Sequence, residues 1–138
     1  MKSLPTLLKL ARRNLDVLRR HLAEQFAKLA DVEMRMRTHE QTILDEQKAA
    51  LRDYEATRAY GGFAAAAIEV RQALHIQAQI IQDEIERLRV VMAEAHVEVR
   101  KFERLLELHE ERERAAERKR EDAELDEIAT MRAARAGG

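Results

Sequence analysis

The chain has 138 residues, 37% of them charged and 4% aromatic, with one proline, four glycines and neither cysteine nor tryptophan. This composition excludes disulfides, thiolate metal sites and cysteine nucleophiles, and it supplies too few aromatic and turn residues for a compact globular core. A net charge of −1 gives the molecule as a whole no preference for nucleic acid or an anionic membrane.

The opening stretch, MKSLPTLLKLARRNLDVLRR, sets Lys2, Lys9, Arg12, Arg13, Arg19 and Arg20 against Asp16 alone. Its apolar run is too short for a secretory signal and lacks a small-residue cleavage site, which agrees with a cytoplasmic protein. A first helix is predicted from about residue 4 to 59. Stepping by seven gives Leu8, Leu15, Leu22, Leu29, Met36, Ile43 and Ala50, with a companion series Leu4, Ala11, Leu18, Gln25, Val32, His39, Glu46 and Asp53. So sustained a seven-residue repeat is the mark of a coiled coil. It also commits Leu8, Leu15, Leu18 and Leu22 to a helix–helix seam, which argues against the basic start lying on a membrane as an amphipathic helix.

The stretch AYGGF follows, with Gly61-Gly62 at the middle of a chain otherwise nearly free of helix breakers. Glycine ends a helix without a Cβ penalty, so a turn is predicted at residues 60–62. A second helix over about 63–134 carries Ala67, Leu74, Ile81, Leu88, Ala95 and Phe102 in one series and Ala64, Arg71, Ala78, Ile85, Met92, Val99 and Leu106 in the other. Folded back at the glycines, the two halves match as Leu22–Phe102, Leu29–Ala95, Met36–Leu88 and Ile43–Ile81. The numbers of every pair sum to 124, and the same register sets Asp53 beside Arg71 and His109 beside Leu15. The predicted fold is all-α: a long antiparallel two-helix coiled-coil hairpin forming a single domain over 1–138. Its C-terminal end, EDAELDEIATMRAAR over 121–135, overhangs with Leu125, Ile128 and Met131 at a spacing of three. The competing arrangement is a parallel dimer of helices running straight through the glycines, each of which costs a helix about 1 kcal/mol relative to alanine.

No stretch approaches the roughly 20 apolar residues of a membrane span, so no direct membrane insertion is expected. His21, His39, His75, His96 and His109 never fall three or four apart, so no metal site is expected; His39 and His109 are read as polar register markers in the seam. The run EERERAAERKRED alternates in sign without interleaved aromatics, the pattern of a solvated helix face and not of a nucleic-acid arm. Residues 107–127 carry ten acids against five bases, complementary to the basic start. Carboxylates such as Glu33 and Glu40 have no pocket to desolvate them, and Gly61-Gly62 lacks the rest of a phosphate loop. Neither an enzyme nor a cofactor is expected.

Three stretches together resemble the FliJ family, cytoplasmic stalk proteins of flagellar type III export related in shape to the YscO proteins of virulence secretion. SLPTLLKLARRNLDVLRRHLAE is similar to the family's apolar-basic opening, AYGGF to its aromatic–x–x–Phe junction into helix two, and ELDEIATMRAAR to its C-terminal pattern. The resemblance implies a non-enzymatic stalk whose paired ends enter the pore of a hexameric export ATPase, with Leu4, Leu7, Leu8, Arg12 and Arg13 joined by Leu125, Ile128 and Arg132. It further implies that the other portion reaches the cytoplasmic domain of the membrane export gate through Phe63, Ala67 and Val70, while Leu74 falls to the seam. Export chaperones are further candidate partners, and the location implied is the cytoplasm, peripheral to the inner face of the membrane. The alternative is a general coiled-coil adaptor or assembly scaffold, including a virulence-secretion stalk. For Phe63 two placements stand side by side: an exposed anchor for a partner, or a lid stacked on Tyr60.

Overall fold

The computed structural model describes residues 3–137, and Lys2 of the basic start lies outside them. Helix α1 spans Leu4–Arg52 and helix α2 spans Tyr54–Ala136. Ser3 caps α1: its Oγ accepts from the Thr6 N–H at 3.4 Å, and its carbonyl accepts from the Leu7 N–H at 3.0 Å. Pro5 sits in the first turn, where a missing N–H costs nothing. The chain forms two compact units, one of residues up to Arg13 with those from Ala95 onward, the other Asn14–Glu94.

Within Asn14–Glu94 the two helices pack antiparallel as a hairpin. Val32, Ala78, Ile81 and Ile85 form a buried cluster, with Leu22, Leu29, Met36 and Leu74 packed against it. Leu88 is the most completely enclosed side chain, 2% exposed. Among the described residues every buried apolar side chain, from Leu8 to Val99, belongs to one of the four heptad series read from the sequence. The predicted seam is the observed one.

The register is not. Glu40 binds Arg71, His39 binds the Ala67 carbonyl, and the Arg89 guanidinium lies 5.7 Å from the centroid of Phe26. These pairs sum to 111, 106 and 115, scattered about the 110 of Leu29–Ile81, Val32–Ala78 and Met36–Leu74, three pairings open to the clustered residues. The difference between 124 and 110 is fourteen residues, two whole heptads, so every seam position kept its role while changing its partner. Arg71 accordingly faces Glu40 and not Asp53.

The turn moves with the register. Gly61-Gly62 lies inside α2, without positive φ, and the single non-helical residue between the helices is Asp53. Asp53 Oδ1 accepts from the Glu55 N–H at 3.1 Å, the N-cap bond that starts α2. The Thr57 hydroxyl donates to the Asp53 carbonyl at 2.9 Å and also reaches the Ala50 carbonyl at the end of α1. Leu51 and Tyr54 flank the turn, 89% and 76% exposed.

In the other unit the start of α1 lies on α2. Leu8 and Ala11 are buried, and Arg12 Nη2 donates to Glu103 Oε1 at 3.2 Å. The last half-buried residue of α2 is Leu108; from His109 to Gly137 every residue is exposed. The predicted overhang of 121–135 is therefore a longer one, His109–Ala136, about 42 Å of bare helix. His109 is not a seam residue: it is exposed, its Nε2 3.1 Å from Glu113 Oε1 on the same helix.

Candidate functional site

Near the turn, Phe63 and Ala67 line one groove with Ile43 and Gln47 of α1 and Tyr60, Ala64, Ile68 and Arg71 of α2. Residues 63, 64, 67, 68 and 71 follow the i, i+1, i+4, i+5, i+8 spacing of one helical face, and Tyr60 joins them because α2 runs on through the glycines. Phe63 is half-buried, its ring centroid 6.1 Å from that of Tyr60 at a 37° tilt. It both leans on Tyr60 and walls an open groove. Ala67 is buried on the groove floor, and Ile68, at 55% exposure, offers more apolar surface.

Val70 is placed elsewhere. It lines a second groove with Met34, Arg35, Thr38, His39, Thr42 and Leu74, so Phe63 and Ala67 come together while Val70 does not join them. Between the two grooves His39 Nε2 makes its 2.9 Å bond to the Ala67 carbonyl, and Arg71 holds Glu40 with Nε and Nη2 at 2.7 Å each. Both bonds join α1 to α2 beside the Phe63 groove, at its lining residues Ala67 and Arg71. Gln47 and Ile68 went unread in the sequence and Ile43 was read only as a seam residue; Ile68 follows Phe63 by five residues on the same face of α2.

The residues expected at the ring fall into two groups that do not meet. Leu4 and Leu7 are half-buried, Leu8 is 5% exposed, and Arg12 and Arg13 are exposed. Leu8 and Arg12 share a groove with Glu103, Leu106, Glu107 and Glu110, so the basic start meets the first part of the acidic stretch. Leu125 and Ile128, 63% and 47% exposed, stand on the bare helix with Arg132, beyond any cover from α1.

No charged or polar side chain is buried among the described residues, and none of them group as metal ligands. A hydrogen bond from Arg87 holds the half-buried Glu84 carboxyl below its ordinary value and raises the guanidinium in return. Such an arrangement can bind along its sides and at its bare end. No helix among the described residues is long and apolar enough to cross a membrane.

The family model described as "Flagellar FliJ protein" matches residues 1–138, and the chain belongs to that family. Its members are non-enzymatic stalk components of the flagellar export apparatus, and this chain is such a stalk protein. No curated protein and no solved structure matches the chain significantly.

Proposed function

We propose that this flagellar stalk works through two separate surfaces: the bare end of α2, which enters the ring of the hexameric export ATPase, and the Phe63 groove, which meets the cytoplasmic domain of the export gate. The observation that carries the reading is the uncovered helix from His109 to Ala136, which keeps Leu125, Ile128 and Met131 at a spacing of three although nothing packs on them. Apolar residues at that spacing suit a partner that closes around a helix. A single α-helix is roughly 10–12 Å across with its side chains, narrow enough for the pore of a protein ring. Leu8 is spent in the seam, so Arg13 and the edges of Leu4 and Leu7 are what the start of α1 contributes. The protein works on the cytoplasmic side, held at the inner face of the membrane by its partners.

A chain ending at Leu108 tests this. It should keep the melting temperature of the packed helices yet lose both co-sedimentation with the ATPase hexamer and stimulation of its turnover. Equal stimulation by the shortened and intact chains would show that the bare helix does not engage the ring.

A further inference from the structure

Gly61 and Gly62 have no role in the observed fold. Both are exposed within α2, neither has a positive φ, and a Cβ added at either meets nothing within 4 Å. Neither a turn nor a close approach demands glycine there, and each weakens the helix relative to alanine. Yet the pair stands at the fold-back point of the register that sums to 124, whose midpoint is residue 62. The observed register of 110 has its midpoint at residue 55, beside the Asp53 cap.

We infer that the hairpin of residues 14–94 has a second register two heptads away, in which the chain turns at Gly61-Gly62 and one helix is displaced along the other by about 21 Å. The seam accepts the change. Ile43 exchanges Ala67 for Ile81, Val32 exchanges Ala78 for Met92, and Met36 exchanges Leu74 for Leu88, apolar for apolar in each case. Asp53, released from its cap, falls beside Arg71. Growth of the first helix through Asp53 straightens the reversal there, and the helical bonds on either side of it are already in place. Asp53 N–H already donates to the Ala49 carbonyl at 3.2 Å, and Thr57 N–H to the Asp53 carbonyl at 3.0 Å, the four-residue helical pattern on both sides.

Charges make the observed register the resting one. It joins Glu40 to Arg71 and His39 to the Ala67 carbonyl, whereas the shifted register sets Glu40 across from Glu84. The register between them, at 117, would fold back at Arg58-Ala59, which offers no turn residue. The shift is thus one discrete step between two turns. For a stalk loaded at its ends it is a change of reach, since the fold-back point travels seven residues, from 55 to 62, along the chain.

The chain has no cysteine, so paired substitutions report register directly. Disulfides need Cβ atoms roughly 3.5–4.5 Å apart, far less than a two-heptad offset. At high dilution under mild oxidation, Ile43→Cys/Ala67→Cys should close fast. Ile43→Cys/Ile81→Cys should close slowly but measurably, and about 30-fold more slowly once Gly61→Ala/Gly62→Ala is added, because two alanines disfavour the glycine turn by that factor. Ile43→Cys/Leu74→Cys, which reports the intermediate register, should close no faster than the Ile81 pair. Simple fraying would reverse that order, since Leu74 is nearer, and would ignore the glycines; either result, or no closure of the Ile81 pair, overturns the inference.

Discussion

Replacing Gly61 and Gly62 together by alanine decides where the chain turns. Both positions are exposed and helical, and an added Cβ has open space on each. Alanine should therefore gain helix propensity and lose nothing, about 1 kcal/mol per site in an exposed helix interior. Part of the gain comes from the unfolded chain, which loses conformational freedom with each glycine removed. The pair is expected to stabilise the protein by about 1–2 kcal/mol, which for a domain of this size raises the melting temperature by about 4–7 °C. Far-UV circular dichroism during a thermal scan reads it, with a urea titration to show an unchanged slope. A fall in melting temperature would refute the reasoning, because it would mean that the native chain needs the left-handed conformation at one of these residues. The turn would then lie at the glycines in the resting state as well.

Asp53→Ala removes the acceptor of the Glu55 N–H and should cost about 0.5–2 kcal/mol in urea denaturation. Leu88→Ala empties the most enclosed site in the hairpin and should cost about 2–5 kcal/mol, while Leu125→Ala on the bare helix should stay within about 0.5 kcal/mol yet weaken ATPase stimulation. Phe63→Ala should weaken binding to the gate's cytoplasmic domain by about 1–3 kcal/mol if the groove is the docking site. A lost melting temperature with unchanged gate affinity would make the ring a lid for Tyr60 instead. Glu84 is held below its ordinary value by Arg87, so its contribution exists above the unfolded carboxyl's pKa and disappears as pH falls through the folded one. Glu84→Gln should accordingly lower the melting temperature slightly at neutral pH, with the difference from the native chain vanishing as pH falls through the folded carboxyl's range.

The seam was legible in the sequence because burial in a coiled coil depends only on position modulo seven. Leu8, Val32, Ile81, Ile85 and Val99 could be assigned to the interior without knowing what faces them. Register depends on something that period does not contain. Shifting one helix by a whole number of heptads superimposes each series on itself, so apolar pattern alone ranks 110 and 124 almost equally. What separates them is local and polar: the Asp53 cap, the Glu40–Arg71 pair, the Arg12–Glu103 pair and the His39 bond to the Ala67 carbonyl. Asp53 was read as a seam residue because it completes a series, although an aspartate two residues before Glu55 is also an N-cap. The glycines drew the turn to themselves because no other residues in the middle of the chain break helices so strongly. Both outward errors followed from that one displacement. The overhang begins at His109 instead of residue 121, and the Phe63 groove takes its second wall from Ile43 and Gln47, which the other register would have sent to Ile81 and Gln77. Phe63 and Ala67 were legible as neighbours because they are four apart on one helix. Val70 was not separable from them, since its groove is made by Met34 and Thr38 of α1, and only register says which α1 residues arrive. In a two-helix stalk, then, a surface is a property of register more than of sequence, and a change of register would remake every groove along the hairpin at once.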